Sequence, residues 1–553
     1  MSGKLVRGKN EALDAEDKYK TDVERTAEYV ERFDILETIT NTGNDEVFTP
    51  RKIVDQMLDL LPEKVWHDPN LKWLNPATKT GIFEREIAIR LDEGLKDVIP
   101  DLETRRKHIL QKMIFSIGQT KFTSHVARRT LYYCSSANRA CDGIKENGHY
   151  VNGFAIGNGT WFDDAEGNIK TPSIDHDFNP KTGKCRFCGV GKDSHYNDES
   201  QREKYSYEFV HCKPGLELQK HLSKRFFKGD ESMKFDVIVG NPPYQLDDEG
   251  NGASSRPIYQ KFVQQAISLK PSYLCMIIPA RWYAGGKGLD QFRAEMIASK
   301  NISVIYDYAN SADCFQNVEL AGGVCYFLWD AAYNGDCEVH NVTGSVISSA
   351  EVRKLNEFET FVRSNVAVRL LRKVSTPDTM ETMVSPRNVF GIPSNGRGHP
   401  EKKDGDMILL HSKGQSFISP TEFKDINHFA EKYKVVMTRA MSGGNKPASD
   451  GKYQIVSSLK IIDPGTVFTE TYLCIGAFDS VSEAESLVSY LRTKFVRYLM
   501  LQTLTSIDII RGTFCFVPKQ SWDRIFTDNG LYQEYGLNQE EIDAIESSIR
   551  ELE

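Results

Sequence analysis

The chain has 553 residues and a formal net charge of −8, with 40% hydrophobic and 26% charged residues. These proportions are those of a globular protein with room for two to four domains, and they exclude a mostly disordered chain. No apolar run approaches the roughly 18 residues that a membrane-spanning helix needs, and the first 18 residues are polar, so neither a membrane protein nor a secreted one is expected. The negative charge excludes a uniformly basic nucleic-acid coat but is compatible with a local basic groove.

Helical patterns come first along the chain, at residues 20–40 and in FTPRKIVDQMLDLLP (48–62). From residue 71 onward, short apolar runs alternate with amphipathic stretches. Because these runs are apolar on both faces, they predict a mostly parallel sheet covered by helices on both sides. The predicted strands are LKWLNPA (71–77), KMIFSIGQ (112–119), FDVIVGN (235–241), YLCMIIPAR (273–281) and ISVIYDYAN (302–310), and the predicted helices between them are GIFEREIAIRL (81–91), SHVARRTLYY (124–133), RPIYQKFVQQAISL (256–269) and LDQFRAEMIAS (289–299).

The last predicted strands are GGVCYFLWDAA (322–332) and CEVHNV (337–342). The Asn334-Gly335 pair between them is a hairpin signal, so the sheet is expected to end with an antiparallel strand. Residues 138–215 are rich in Gly, Asn, Asp, Lys and Cys, and they predict a loop-rich module inserted outside the sheet. The predicted organisation is a helical segment at 1–40, an α/β domain at 41–344 interrupted by 138–215, and a separate α+β domain at 345–553.

The sharpest chemical signal is the motif Asn241-Pro242-Pro243-Tyr244, which directly follows the apolar run FDVIVG. Asn241 therefore lies at the carboxyl end of a parallel strand, the edge where open α/β sheets bind ligands. The two prolines fix φ and offer no N–H groups, so the loop is rigid. It suits a planar group with an exocyclic amine, because the Asn241 oxygen and the Pro242 carbonyl can accept hydrogen bonds while Tyr244 stacks on the ring. The alternative is an ordinary loop with Pro-Pro punctuation.

A second signal is Cys185-x-x-Cys188 followed by Gly189, where a tight turn lets two thiolates face one tetrahedral Zn²⁺ ion. We predict a structural zinc site formed by Cys185, Cys188 and His176, with Cys134 as the fourth ligand. A thioredoxin-like redox pair is disfavoured because no suitable βαβ unit surrounds the motif. A catalytic deaminase zinc is disfavoured because no His-x-Glu pattern accompanies it. Unligated cysteines are the alternative, and further candidate ligands are Cys141, His195, His211 and Cys212.

Several segments, taken together, resemble one family across about residues 40–545. They are the NPPY motif at 241–244, EVFTP at 46–50 followed by a helix, NPATKTGIF at 75–83, Tyr306-Asp307-Tyr308, VELAGG at 318–323 and the final helix at 531–553. The chain resembles the adenine-N6 DNA methyltransferases of bacterial restriction–modification systems, with the gamma-class order of cofactor motifs, catalytic motif and target-recognition domain. The resemblance implies a Rossmann-like methyltransferase sheet, mostly parallel with an antiparallel last strand, a zinc-knuckle insert and a C-terminal α+β target-recognition domain.

The resemblance also implies S-adenosylmethionine as cofactor, double-stranded DNA as substrate and a location in the bacterial cytoplasm, where a separate restriction endonuclease can be a partner. Asn241, Pro242, Pro243 and Tyr244 are then catalytic. The implied DNA contacts lie in the C-terminal domain, and His399 is a further candidate for such a contact. The cofactor-binding residues are Phe48, Thr49, Pro50, Asn75, Ala77, Thr78, Gly81, Phe83, Gln119, Asn158 and Asn241, and the DNA-binding residues are Arg397, Lys413, Arg439, Lys446 and Arg511.

The chain departs from the family pattern at three places. Asn75 replaces an aspartate of the cofactor loop and Lys79 replaces a glycine, which is tolerated where φ is negative. The second strand carries Gln119 where an acidic residue usually holds the ribose. Asn158, in Gly-Asn-Gly, either holds the adenine of the cofactor or belongs to an ordinary turn.

Other functions use related motifs. Glutamine methyltransferases of release factors share Asn-Pro-Pro-Tyr, but this chain has a full additional domain after the sheet. N4-cytosine methyltransferases usually carry Ser-Pro-Pro-Trp or Ser-Pro-Pro-Tyr, and a fused nuclease does not fit into the first 40 residues. A degenerate methyltransferase that only binds DNA is motivated by the altered cofactor loop, whereas the intact Asn241 and Tyr244 argue against it.

Overall fold

The computed structural model describes residues 47–133, 166–174, 176–187, 205–245, 256–315, 322–440, 447–456, 458–504 and 508–552, with the backbone of 145–146 and 149–150 and a few single residues. The predicted helix at 20–40 lies outside these residues. The chain divides into two compact units, Met1–Ser348 with Val352–Lys354 and Ser349–Glu351 with Leu355–Glu553. Within the described part of the chain, no helix is both long and apolar enough to cross a membrane.

The first unit is a mixed α/β structure around a nine-stranded, mostly parallel sheet in the order β5-β2-β1-β6-β7-β9-β8-β10-β11. Strands β1, β2, β6 and β7 are buried at every residue, as expected for a parallel sheet with both faces covered. The strands are β1 Trp73–Thr78, β2 Ile114–Gly118, β5 Ile169–Lys170, β6 Val237–Gly240, β7 Tyr273–Pro279, β8 Ile302–Tyr308, β9 Val324–Asp330, β10 Cys337–Thr343 and β11 Val346–Arg353, and a separate small ribbon is formed by β3 Lys145–Glu146 and β4 His149–Tyr150.

Helices cover the two faces of this sheet and follow the strands in chain order. Local sequence signals set their starts. The Thr120 side chain accepts from the Thr123 amide in a capping box at the start of helix 121–128. The Asp101 side chain accepts from the Thr104 amide at the start of helix 102–108. The helices are α1 Arg51–Leu58, α2 Ile82–Gly94, α3 Leu102–His108, α4 Lys121–Arg128, α5 Leu216–Phe226, α6 Tyr259–Ser268 and α7 Asp290–Ala298.

The predicted hairpin between residues 322–332 and 337–342 is wrong, because these two strands are not neighbours in the sheet. The expected antiparallel strand is present as β9, but it is not the last strand of the sheet. Strand β9 lies inside the sheet and pairs antiparallel with both β7 and β8, whereas β10 pairs parallel with β8. Residues 324–328 of β9 are buried at every position, and their backbone N–H and C=O groups, which cannot reach water, pair with a strand on each side. The turn after β9 lies at Ala331 and Ala332, where the Tyr333 amide donates to the Asp330 carbonyl, and the Asn334-Gly335 pair does not join paired strands.

The predicted insert at 138–215 does not lie wholly outside the sheet. Strand β5 falls within it and pairs parallel with Ser116 and Ile117 of β2. The 3₁₀ helix Tyr205–Val210, also within it, buries residues 206–210. A strand of two residues is too short to leave an alternating pattern, so the sequence could not reveal it.

The second unit contains two three-stranded sheets, in the orders β13-β12-β16 and β15-β14-β17. A large apolar core packs helices against β14 and β17, and a smaller one surrounds Phe390, Leu409 and Phe468. Its elements are α8 Asn365–Val374, β12 Met407–His411, β13 Gly414–Ile418, β14 Tyr433–Thr438, β15 Leu459–Ile462, β16 Thr466–Phe468, β17 Tyr472–Phe478, α9 Val481–Arg492, α10 Lys494–Leu501, α11 Asp528–Glu534 and α12 Gln539–Ser548.

The strand order of the first unit changes direction beside β1. From β1 the chain continues to β2 on one side, and β6 and β7 are added on the other. Loops that leave the carboxyl ends of β1 and β6 therefore diverge at this point. Open α/β sheets bind ligands in the crevice that such a switch point creates.

Candidate active site

The loop after β1 depends on a glycine at one position. Gly81 has φ 80° and precedes α2, and a Cβ there would lie 2.8 Å from the Cα of Ala127 on α4. Only glycine combines this left-handed backbone with so close a helix contact. Lys79, which replaces a family glycine, is not among the residues with positive φ, so the loop accepts a side chain there.

A buried carboxylate at the start of α2 accepts hydrogen bonds from β1 and β2 beside this loop. Glu84 of α2 is 1% exposed, and its Oε1 accepts hydrogen bonds from Asn75 Nδ2 at 2.9 Å and Ser116 Oγ at 2.6 Å. Asn75 Oδ1 in turn accepts from the Ala77 amide at 3.1 Å. The asparagine can donate to Glu84, whereas the family's aspartate would repel it. Burial raises the pKa of Glu84 above its ordinary value, although its hydrogen bonds oppose the shift.

The raised pKa of Glu84 predicts a pH dependence of stability. As pH rises from the ordinary carboxyl pKa to the raised folded value, the unfolded chain loses this proton while the folded chain keeps it, so stability falls. We expect Glu84→Gln to remove that loss, because the glutamine oxygen can still accept from Asn75 and Ser116. Urea-unfolding midpoints between about pH 4.5 and 8 measure this. The exposed Glu93→Gln on the same helix is the control, and equal pH slopes for the wild type and Glu84→Gln would contradict the prediction.

Asn241 follows β6 and is 3% exposed. Its Nδ2 donates to the Val47 carbonyl and to Thr49 Oγ1, each at 3.0 Å. A backbone carbonyl can only accept, so the amide nitrogen faces Val47 and the amide oxygen faces the opposite way. Among the described residues, no donor reaches Asn241 Oδ1. The residue thus holds a buried acceptor in a fixed direction.

Tyr244 completes the motif and is 1% exposed. Burial raises its pKa well above its ordinary value, so the phenol stays neutral across the physiological range. The Lys79 ammonium lies 6.0 Å from the centre of its ring, and Phe315 packs at 6.5 Å between ring centroids. Pro242 and Pro243 are buried beside it.

The structure brings most of the predicted cofactor-binding residues around one small cavity of about 10 Å³, which holds about one water molecule. Their roles in binding stay predictions. Pro50 does not line the cavity but precedes α1. Gln119 is fully buried, and Ser206 Oγ donates to its side-chain oxygen, which leaves that oxygen engaged. Asn158 lies outside the described residues. The lining residues are Phe48, Thr49, Asn75, Ala77, Thr78, Lys79, Thr80, Gly81, Ile82, Phe83, Glu84 and Asn241.

Glu84 and Lys79 were missed as functional residues by sequence reasoning. The available signal was a run of charged residues, Glu84-Arg85-Glu86, at the start of a helix that must pack against the sheet. All three are buried. Buried charges require partners, which only the fold identifies.

The structure brings His176 and Cys185, two of the four residues predicted as zinc ligands, close to His211. The potential ligand atoms of His176, Cys185 and His211 all lie within 4.8 Å of one another. The two histidine rings meet edge to face at 4.6 Å between centroids, and the Gly189 amide donates to the Cys185 carbonyl at 3.0 Å in a tight turn. Cys134 and Cys188 lie outside the described residues. His211, which the sequence suggested only as a further candidate, joins the group.

The predicted DNA-contacting residues of the second unit are only partly grouped. A polar cleft of about 610 Å³ contains Arg439, whose guanidinium lies 3.5 Å from Glu470 and 3.8 Å from Asp508. Arg397 donates to the carbonyl of Ser394, which lines the same cleft. Lys413 is exposed at the turn between β12 and β13. Lys446 lies outside the described residues, Arg511 donates to the Glu381 carbonyl at 2.8 Å, and His399 pairs with Asp406 at 2.5 Å.

Comparison with known proteins identifies the class. Residues 112–315 match the model of the Eco57I restriction-modification methylase family. This segment includes β2, the zinc-ligand candidates and the Asn241 motif, so this part of the chain is similar to restriction–modification methylases. The chain is also 45% identical over 333 residues to an uncharacterized adenine-specific methylase of Mycoplasma pneumoniae (strain ATCC 29342 / M129 / Subtype 1), a match that covers 58% of this chain and 76% of the relative. The chain belongs to this family of adenine-specific methylases.

The solved structures that are similar to this chain have much lower sequence identity than the Mycoplasma pneumoniae relative. The type IIL restriction-modification enzyme MmeI in complex with DNA is 9% identical with a TM-score of 0.39, covering 90% of this chain and 71% of that one. A modification subunit of a putative type I restriction enzyme from Vibrio vulnificus YJ016 is 14% identical with a TM-score of 0.30, covering 57% of this chain. The chain spans about half the length of that subunit, 51%. At such TM-scores these similarities carry no inference about this chain.

Proposed function

We propose that this protein is a site-specific DNA methyltransferase that transfers a methyl group from S-adenosylmethionine to N6 of an adenine in duplex DNA. The observation that carries the proposal is the fixed orientation of Asn241 at the switch point of the sheet, with its oxygen held as a buried acceptor. Membership in the adenine-specific methylase family supports the same substrate base. The proposed setting is restriction–modification or another phage defence in the bacterial cytoplasm, with a separate endonuclease as a possible partner enzyme.

The residues around the β1 loop fit the cofactor. The loop brings main-chain groups to the start of α2, a favourable place for a carboxylate, and Gly81 supplies the left-handed turn that leads into this helix. When bound, S-adenosylmethionine supplies an electrophilic methyl group on its sulfonium. The cavity admits about one water molecule, so it must widen to admit the cofactor.

The NPPY motif performs the chemistry by positioning. In this proposal the target adenine leaves the base stack, at an unstacking cost of a few kcal/mol, and reaches the motif. Asn241 Oδ1 and the Pro242 carbonyl accept hydrogen bonds from the N6 amine, which directs the nitrogen lone pair at the methyl group. Tyr244 stacks on the base, and its neutral phenol adds no charge. The N6 proton leaves to water after transfer, so the rate enhancement comes from orientation and electrostatics.

The second unit, residues 345–553 of the predicted organisation, is proposed to recognise the DNA sequence. Its polar cleft contains two arginine donors, Arg387 and Arg439, and two carboxylate acceptors, Glu470 and Asp508. Arginine is the side-chain type that reads guanine edges, and carboxylates are the type that reads cytosine edges. The opposite charges balance within the cleft. This balance suits reading of base edges better than attraction to phosphates, which needs net positive charge.

The cysteine–histidine group is proposed to bind one structural Zn²⁺. Two imidazoles and one thiolate have their potential ligand atoms within 4.8 Å of one another, so modest side-chain movements would let all three bind one ion, and Cys188 or Cys134 can supply the fourth ligand. His211 follows the buried 3₁₀ helix Tyr205–Val210, so the ion would attach the loop-rich segment around Cys185 to the packed part of the unit. The ion would therefore stabilise the fold and take no part in methyl transfer.

We expect the purified protein to contain about one zinc ion per chain by elemental analysis. His211→Ala should lose most of this zinc and lower the melting temperature by several degrees, because a structural metal contributes directly to folding. The exposed His125→Ala is the matched control and should retain the metal. Full zinc content in His211→Ala would show that His211 is not a ligand.

The function is tested by incubating the protein with unmethylated bacterial DNA and radiolabelled S-adenosylmethionine, followed by digestion to nucleosides. Label in N6-methyladenosine is the expected result. Label in N4-methylcytosine would show that the target is N4 of cytosine and not N6 of adenine. Failure to bind the cofactor, with DNA binding retained, would instead favour the degenerate, DNA-binding function that the altered residues Asn75 and Lys79 motivate.

A further inference from the structure

We propose that Lys79 is a positioning residue for Asn241, so that the lysine in place of the family glycine belongs to the catalytic apparatus of this chain. The inference rests on the proposed function and adds to it a residue outside the NPPY motif. Lys79 is 7% exposed, and its ammonium donates to the Val47 carbonyl at 2.9 Å. Asn241 Nδ2 donates to the same carbonyl at 3.0 Å.

The Val47 carbonyl thus accepts from two side chains that come from different loops. A carbonyl oxygen has two lone pairs, and both are directed here, so its position is fixed from two sides. A hydrogen bond from an ionised donor is roughly twice as strong as a neutral one. The ammonium therefore holds the segment that begins at Val47 against the β1 loop. The amide of Asn241 finds its partners, Val47 and Thr49, on that segment.

The orientation of the amide determines what it can do. With Nδ2 on Val47, the oxygen is the only Asn241 atom available to a base, and it can accept from an adenine amine. A rotated amide would present donors and repel that amine. Lys79 also lies 6.0 Å from the Tyr244 ring centre, within the range of cation–π attraction, so one ammonium contacts both the carbonyl that orients Asn241 and the ring that would stack on the base.

The test compares wild type, Lys79→Met and Lys79→Arg, with Lys52→Met as control, since Lys52 is an exposed lysine on α1. We expect Lys79→Met to lower kcat for N6-adenine methylation at least about tenfold while the Kd for S-adenosylmethionine changes less than about threefold, a split that loss of an orienting contact predicts. Lys79→Arg, which can still donate to Val47, should recover a large part of the rate. Lys52→Met should match the wild type.

A second readout does not depend on activity. In ¹⁵N-TROSY spectra, the side-chain amide of Asn241, identified by its absence in Asn241→Ala, should show slow hydrogen exchange in the wild type and in Lys52→Met. Exchange should accelerate at least about tenfold in Lys79→Met, because the carbonyl that accepts from Nδ2 is no longer held. Melting curves establish that the variants are folded.

The inference is overturned if Lys79→Met retains kcat within twofold of the wild type, if its entire loss lies in cofactor affinity, or if the Asn241 amide exchanges as in the wild type. A wild type that forms no N6-methyladenosine on any DNA would overturn the proposed function. The exchange measurement would still decide whether Lys79 orients the amide, so the two failures are distinguishable.

Discussion

Asn241→Ala is expected to lower the rate of adenine methylation at least about 10²- to 10³-fold, the usual effect of removing one preorganised hydrogen-bonding group from an active site. Alanine deletes the acceptor for the adenine amine. It also leaves the Val47 carbonyl with one donor fewer, although Lys79 still donates to it. Labelled methyl incorporation into N6-methyladenosine measures the rate.

DNA binding and cofactor affinity of Asn241→Ala should stay within a few fold of the wild type, because the residue contributes one side chain to a cavity with many others. Asn70→Ala, a change of the same type at an exposed asparagine of the same unit, is the control. Asn241→Asp sharpens the test, since the carboxylate keeps an acceptor but faces the Val47 carbonyl with a second oxygen. We expect it to be nearly as inactive as alanine. Near-full activity of Asn241→Ala would show that the chemistry takes place elsewhere.

Gly81→Ala is expected to destabilise the first unit by about 2–6 kcal/mol and to reduce cofactor affinity at least tenfold. Two costs combine: a left-handed backbone for a residue with a Cβ, about 1–3 kcal/mol, and overpacking of a close contact, typically another 1–3 kcal/mol. The contact is a Cβ placed 2.8 Å from Ala127 Cα and 3.0 Å from its carbonyl oxygen. Relief requires α2 to move away from α4, which would deform the β1 loop.

The matched control for this prediction is Gly229→Ala. Gly229 has φ 90°, and a Cβ there would meet nothing within 4 Å, so only the backbone cost applies. Urea unfolding of both variants and calorimetric titration with S-adenosylmethionine separate the two contributions. Equal destabilisation by the two substitutions would mean that the contact with Ala127 does not constrain the loop.

Much of the sheet was predictable because its strands are short, apolar runs that must be buried on both faces. The runs around Trp73, Ile114 and Val237 became β1, β2 and β6 within a few residues of their predicted limits. The position of Asn241 at the end of a buried strand followed from the same pattern. The family resemblance assigned Thr49, Asn75 and Asn241 to one cofactor site, and the three residues line one cavity in the structure.

Pairing over long sequence distances was not predictable. Strand β9 inserts between β7 and β8, against the local hairpin signal, because its fully buried residues need two neighbouring strands. Strand β5 is too short to produce a pattern. The ring of His211 approaches His176 only after the buried helix before it packs against the sheet.

The sequence by itself determined the fold class, the edge of the sheet where the candidate site lies and the residue type proposed to face the base. These follow from local hydrophobic pattern and from the restricted backbone of the Pro-Pro motif. The tertiary structure alone decided how those residues are oriented. A carbonyl at Val47, 194 residues from Asn241, accepts from the Asn241 amide and sets its direction, and Lys79, a departure from the family pattern, donates to the same carbonyl. Hydrogen-bond partners of buried polar groups are set by packing between distant segments, and no local spacing encodes them.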